Sequence, residues 1–306
     1  MLLKILQQMR LLWKSSISSA RIHLDPFVNP IWMMLRKLGI LAGGGDLPLE
    51  IIKACQEKQR DFFVVAFDGQ TNPTDFLGIP TKRLRLGAAG TVIKYLKTEG
   101  CHELIFAGSI KKPGLNELRP DFWTSKFLAR NGSLGLGDNS ILSALIHDLE
   151  VREGFKVVGV EQLVPHLVAD SGVYGNHRPN QKDYENISAG IEGALKLSGN
   201  DKGQACVVRN GNIIGLEDHL GTDQLLDRIA TQNPPEGVLV KIKQASQEYR
   251  IDLPTIGPKT VEKAAAAGLC GIAVEAGRAL VIDRKKVISL ANKHKLFLLG
   301  ITQNGP

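Results

Sequence analysis

Cysteine is scarce in this 306-residue chain. Cys55, Cys101, Cys206 and Cys270 are the full complement, too scattered for a CxxC metal site and too few for a disulfide scaffold. That usage implies a reducing cytoplasm. Aromatic residues make up only 6% of the chain, which leaves little material for the stacking platforms of single-strand nucleic-acid binders. Missing too is any apolar run near the ~18 residues that a membrane-spanning helix needs. The excess of positive charge, +7 overall, is not spread along the chain. Residues 1–37 hold Lys4, Arg10, Lys14, Arg21, Arg36 and Lys37 against Asp25 alone, so the rest is nearly neutral. A broad electrostatic footprint for a phosphate polymer is absent, and no nucleic-acid partner is expected. Any anion has to be held locally.

What is present is a globular composition, 43% hydrophobic and 23% charged, enough for one large domain or two ordinary ones. Residues 1–34 read as a basic extension outside the fold, disordered or lying ahead of a true start near Met33-Met34. Its first 24 residues contain no acid and mix Leu, Ile, Met and Trp with spaced cations, so an interfacial helix on anionic lipid is the alternative.

From Leu38 onward short apolar runs alternate with helical patterns. LGILA (38–42), FFVVAF (62–67) and ELIFAG (103–108) read as buried strands; the stretch from Leu49 to about Gln56, 89–98 and 139–153 read as helices. That alternation predicts βαβ units and a parallel sheet. A polar stretch rich in turn formers, 169–183, reads as a linker, which gives domains at 35–168 and 184–306. In the second, QACVVR (204–209) and IIGLE (213–217) flank Asn210-Gly211-Asn212 as a tight hairpin. GVLVKI, GIAVEA, ALVID and LFLLGI read as further strands, with helices over 260–267 and 285–294. The fold class is α/β, in two domains.

Three segments carry candidate chemistry. Gly43-Gly44-Gly45-Asp46 sits between a strand and a helix, where glycines and helix-start amides can approach an anion. A dinucleotide fingerprint would need a third glycine where Pro48 stands, so a nicotinamide oxidoreductase is disfavoured despite Asp68 at the end of the second strand. The second segment, 216–228, clusters Glu217, Asp218, Asp223 and Asp227 with Thr222 at a strand-to-helix junction. Thr222 and Asp223 suit helix capping; the carboxylates together suit Mg²⁺. His219 has no partner histidine at metal spacing and reads as a surface residue. The third segment, 238–260, offers Lys241, Lys243 and Arg250 to phosphate oxygens and Gln247, Glu248 and Asp252 as acceptors or metal ligands. Leu253-Pro254-Thr255 forces an extended segment before a helix that starts at Gly257-Pro258. Mixed cations and carboxylates on one loop suit a metal–phosphate site, and a solvated charge run is the alternative that pattern alone leaves open.

Together the segments resemble the LpxI family of UDP-2,3-diacylglucosamine pyrophosphatases, over about residues 35 to 300. The resemblance rests on LGILAGGGDLP (38–48), AGSIKKPGLNELRPD (107–121) and GDNSILSALIHDLEVREGF (137–155). It continues with KGQACVV (202–208), GLEDHLGTDQLLDR (215–228) and LPTIGPKTVEKAAAAGLCGIAVEAG (253–277). It implies a Rossmann-like first domain with a parallel sheet, a separate α/β catalytic domain and an active site in the cleft between them. It implies hydrolysis of UDP-2,3-diacylglucosamine, with water attacking the α-phosphorus to give UMP and 2,3-diacylglucosamine 1-phosphate in lipid A biosynthesis. Mg²⁺ is the implied cofactor, a homodimer the implied assembly, and a cytoplasmic site at the inner-membrane surface the implied location. Carried over by position, Gly43, Gly44, Gly45, Gln204 and Thr222 match nucleotide-contacting motifs, and Asp46, Gln247 and Thr255 beside them are expected to contact substrate too. Asp252, Asp223, Lys241 and Arg250 are expected to be catalytic, with Asp252, Asp223 and Glu248 on the metal. Family members usually place an acid where Leu220 stands, Gln-Asp where Gln247-Glu248 stand, and two acids where Asp138-Asn139 stand. A non-catalytic UDP-sugar sensor is the alternative function.

Overall fold

In a computed structural model of the chain, the described residues are 36–111, 114, 118–131, 138–197, 204–218, 220–232, 236–243 and 248–302; the side chains of 138, 139 and 195–197 are excepted. The basic extension, His219 and Gln247 therefore lie outside the described residues, as do the side chains of Asp138 and Asn139.

LGILA is buried throughout and forms β1 (Leu38–Ala42). Pro48 occupies the first turn of α1 (Leu47–Glu57), which buries Ile51, Ile52, Ala54 and Cys55. There follow β2 (Phe62–Phe67), β3 (Thr81–Leu84), α2 (Ala89–Thr98), β4 (Glu103–Ala107), α3 (Phe122–Asn131), α4 (Asp138–His147), β5 (Lys156–Val157) and α5 (Val160–Leu163). The helix expected over 139–153 is α4 running into a π-turn at Asp148–Arg152. The strands pair in parallel in the order β3-β2-β1-β4-β5. Alternate side chains feed two apolar layers: Ile40, Val64 and Ile105 enter one, Leu41, Val65 and Leu104 the other. Burial on both faces is why these strands read as unbroken hydrophobic runs.

The second half opens with β6 (Gly172–Tyr174), a strand inside the stretch read from sequence as a linker. It continues with α6 (Gln181–Leu197), β7 (Ala205–Arg209), β8 (Asn212–Leu216), α7 (Gly221–Ala230), β9 (Val238–Lys241), β10 (Thr255–Ile256), α8 (Pro258–Ala266), β11 (Gly271–Glu275), β12 (Leu280–Val281), α9 (Arg284–Lys293) and β13 (Phe297–Ile301). The sheet order is β6-β13-β11-β9-β7-β8, parallel through β13, β11 and β9 and antiparallel at both flanks. Asn210 (φ 52°) and Gly211 (φ 73°) both take the left-handed conformation that a two-residue hairpin turn needs between β7 and β8. β10 and β12 form a separate parallel pair.

The two halves share core. Leu253, Leu280 and Ile282 join the layer of Ile40 and Val64, while Ile251 packs against the opposite layer with Leu41 and Val65. Where the chain passes between halves, the Ala169 N–H donates to Ala279 O and the Gly277 N–H to Ala169 O, both at 2.8 Å. No helix among the described residues is long and apolar enough to cross a membrane.

Candidate active site

Strand directions gather the polar residues of the second half at one edge. β9 and β11 run parallel and finish there in Lys241 and Glu275. β7 runs the other way and enters there, just after Gln204, with Ala205 opposite Lys241. β8 leaves at the same edge, so Glu217 follows it directly. Carboxyl edges of parallel strands are where open α/β sheets commonly bind ligands.

A hydrogen-bond network joins these side chains. Glu217 accepts the Gln204 backbone N–H at 2.7 Å and the hydroxyl of Thr222 at 2.5 Å. The buried Lys241 Nζ donates to Thr222 Oγ1 at 2.7 Å and to the Thr255 carbonyl at 3.2 Å. An ammonium has three hydrogens, so one remains for a further acceptor. Gln204 Nε2 donates to Asp252 Oδ1 at 2.9 Å. Thr222 therefore does not cap α7, as its sequence position suggested; the N-cap residue is Leu220, with no side-chain cap. Its hydroxyl is committed to Glu217 and Lys241 instead.

Asp252 sits on the loop between β9 and β10, with its neighbours Ile251 and Leu253 packed into the two apolar layers of the first half. Arg250, on the same loop, donates to Glu150 Oε1 at 2.8 Å and to Glu248 Oε1 at 3.1 Å. The Arg250 hydrogen bonds hold the Glu248 carboxyl below the usual carboxylate range. Burial, with Arg278 nearby, pulls the Lys243 ammonium below its ordinary value against the opposing pull of Glu275, Asp252 and Glu248. Glu275 in turn accepts the Lys243 backbone N–H at 2.9 Å.

The glycine turn lies at the other candidate position, the β1/β4 switch point where the first sheet's strand order reverses. Here the expected anion cradle is narrower than its sequence suggests. The Gly43 N–H is spent on Ala107 O (2.7 Å) and the Gly44 N–H on Ser109 O (2.8 Å), closing a bridge between Gly44 and Ser109. The amides of Gly45 and Asp46 lie outside that bridge, on exposed residues ahead of α1. Ala42, just before the turn, and Leu253, just after Asp252, belong to the same apolar layer. Among the described residues no hydrogen bond or ion pair joins the turn to the Asp252 network.

Of the residues singled out from sequence, the structure thus brings together Gln204, Thr222, Lys241, Asp252 and Thr255, with Arg250 and Glu248 paired on the same loop. Asp223 stands apart, ion-paired with Lys259 at 2.5 Å on the half-buried first turn of α7. Glu217 was visible only as one of four acids in its segment; its hydrogen bonding places it inside the network. Three of the four cysteines are disfavoured as nucleophiles: burial pushes the Cys55 and Cys101 thiols up to about 11 and Cys206 up to about 12.

Among the described residues no three His, Cys, Asp or Glu side chains converge as a ready-made metal site. Mg²⁺ does not require one. It commonly takes one or two carboxylates and completes its shell with waters and substrate phosphate oxygens. Asp252, an oxygen donor at the sheet edge, fits that mode.

A buried lysine, a hydroxyl and carboxylates at a sheet edge, next to a domain built on a parallel sheet with a glycine turn, define a two-domain α/β protein suited to an anionic, phosphate-bearing ligand. The family models described as the LpxI N-terminal domain and the LpxI C-terminal domain match residues 37–167 and 170–299. The chain belongs to the LpxI family. It is similar to the UDP-2,3-diacylglucosamine pyrophosphatase LpxI of Caulobacter vibrioides, 35% identical over 278 residues that cover 87% of this chain and 98% of that protein. Among solved structures, a CobK precorrin-6A reductase aligns over 89% of this chain and 88% of its own at 10% identity, with a TM-score of 0.30, a likeness too slight to bear on the fold.

Proposed function

We propose that the chain hydrolyses the pyrophosphate of UDP-2,3-diacylglucosamine, giving UMP and 2,3-diacylglucosamine 1-phosphate in lipid A synthesis. Family membership and the similarity to a named pyrophosphatase support this reading, and one observation carries it to residues: Asp252, Gln204, Thr222 and Lys241 form a single network at the carboxyl edge. The sensor alternative has no comparable support, since the relative is named for turnover.

The reaction adds a water oxygen to the α-phosphorus and breaks that atom's bond to the bridging oxygen, which departs with the lipid-side phosphate. The pyrophosphate diester is doubly negative, so its charge must be offset before water can attack. When bound, Mg²⁺ supplies that neutralisation, with Asp252 as its protein ligand or as the group that orients the water. Lys241 directs its remaining hydrogen at a phosphate oxygen, a preorganised donor where charge develops. Gln204 keeps Asp252 in one rotamer. Thr255 and the Gly45–Asp46 amides contact the nucleotide part of the substrate, whereas Thr222, its hydroxyl committed to Glu217 and Lys241, acts through that lysine. Recruiting Asp223 or Glu248 to the metal means exchanging Lys259 or Arg250 for the ion. Two acyl chains tether the substrate to a bilayer, which suits a cytoplasmic enzyme working as a homodimer at the inner-membrane surface.

Phosphorus NMR of UDP-2,3-diacylglucosamine hydrolysis in ¹⁸O-water tests this directly. Label in UMP supports attack at the uridine-side phosphorus; label in the lipid product overturns that assignment, and no hydrolysis overturns the whole reading.

A further inference from the structure

We infer that Glu217 is a positioning residue for this site, a carboxylate that touches no reacting atom but fixes the groups through which Asp252 and Lys241 are held. The inference rests on the hydrolase reading of the Asp252 edge and deepens it. Four acids lie between residues 217 and 227, and their surroundings separate them. Asp218 faces Arg228, Asp223 faces Lys259 and Asp227 faces Lys263, each in an ion pair. Glu217 faces two neutral donors of the network instead.

Each donor leads to a different part of the site. The Gln204 peptide is fixed on both sides: its N–H goes to Glu217 Oε2 at 2.7 Å, and its carbonyl accepts the Ile242 N–H at 3.1 Å. With its backbone held, the Gln204 side chain reaches Asp252 from a set origin. The Thr222 hydroxyl spends its only hydrogen on Glu217 Oε1, so its lone pairs are what it presents to Lys241 Nζ. Glu217 is itself tied to the strands, its N–H donating to Ala205 O at 2.8 Å. One carboxylate thus sets the direction of an acid-holding amide and of a lysine-holding hydroxyl.

Glu217→Gln keeps the shape and turns one acceptor oxygen into a donor, leaving either Gln204 or Thr222 without its acceptor. The expected result is a kcat lower by roughly tenfold or more, with KM for UDP-2,3-diacylglucosamine moved by less than about threefold. Thr222→Val falls similarly. The double variant falls no further than the slower single variant, within roughly twofold, because both changes cut one linkage. Effects that multiply, or a wild-type kcat in Glu217→Gln, overturn the inference. A readout without substrate separates it from the hydrolase reading. The side-chain amide signal of Gln204, identified by its loss in Gln204→Leu, is expected to shift both in Glu217→Gln and in the control Asp252→Asn. An unmoved Gln204 signal overturns the positioning role whatever the kinetics. Absence of UMP release from the wild-type protein overturns the hydrolase reading instead and leaves that signal to decide Glu217.

Discussion

Gln204 and Asp252 lie 48 positions apart in the chain, yet the Gln204 side-chain amide donates to Asp252 Oδ1 at 2.9 Å. The bond ties the entry to β7, deep in the second half, to a loop whose flanking residues are packed into the first half. The acid assigned to catalysis is therefore held from both halves at once.

Replacing Asp252 by alanine is expected to leave product affinity within a few fold and to cut UMP release by roughly a hundredfold or more, the scale of losing a group that acts on the attacking water. Titration calorimetry with UMP and a phosphorus NMR time course measure the two quantities. Wild-type turnover by this variant removes Asp252 from the mechanism.

Metal removal follows the same logic. Treating the protein with a chelator is expected to stop hydrolysis, and added Mg²⁺ to restore it, because the ion neutralises phosphate charge and activates water at the centre that Lys241 alone does not serve. Chelated protein that works at full rate excludes a divalent ion from the reaction. The matching check is Asp252→Ala, whose residual rate should respond weakly to added Mg²⁺.

At the glycine turn, the expectation concerns backbone space. A Cβ on Gly43 would sit 2.4 Å from the Ser109 carbonyl oxygen and 2.9 Å from its carbon, both main-chain atoms that cannot swing aside. Gly43→Ala should cost about 1–3 kcal/mol by forcing apart the loops after β1 and β4. Gly45→Ala meets nothing within 4 Å and is penalised by its φ of +89° alone, so it should cost less. Urea unfolding of the two variants compares them.

A pH effect is expected from Asp121, far from the chemistry. Burial opposes its ionisation, but hydrogen bonds from Thr124, from the Thr91 N–H and from the Gly90 N–H outweigh that and hold its carboxyl below the ordinary value. Two of them are short: the Thr124 N–H and hydroxyl both reach Asp121 Oδ1 at 2.9 Å. Asp121→Ala should cost about 1–2 kcal/mol at neutral pH. A folded pKa below the unfolded value means this stabilisation is complete above the unfolded pKa and is lost as pH falls through the folded one. The gap between wild type and variant should thus close in acid, below about pH 4. A constant gap down to pH 2 contradicts the assignment.

Much of this architecture was legible in sequence because two-sided burial writes itself as unbroken apolar runs. β1, β2, β4, β9, β11 and β13 were all visible that way, and Asn210-Gly211 marked its hairpin through the backbone it requires. β3 (Thr-Lys-Arg-Leu) was not, since each of its residues is only half-buried and it carries no apolar signature. β6 was read as linker because three residues at a sheet's flank draw their stability from β13 rather than from their own composition. For the site, the family motifs pointed to Asp252, Gln204 and Thr222. Lys241, at the end of a buried strand, and Arg250, on the loop that follows it, stood out as cations in a segment of mixed charge. What single residues could not disclose was direction. Nothing in the string Leu-Glu-Asp-His says that Glu217 turns inward while Asp218 turns toward Arg228, because strand polarity and register decide it. The spent amides of Gly43 and Gly44 were hidden for the same reason: their acceptors, Ala107 at the end of β4 and Ser109 just beyond it, lie more than sixty positions away.

Ile251 and Leu253 grip opposite apolar layers of the front domain, with Asp252 between them like a bead on a line pegged at both ends. Loosening either peg, by hollowing out the hydrophobic interior near Phe155 or near Ile40, should blunt turnover without altering a single group that meets the substrate. Damage to catalysis can therefore begin in a part of the protein that performs no chemistry at all.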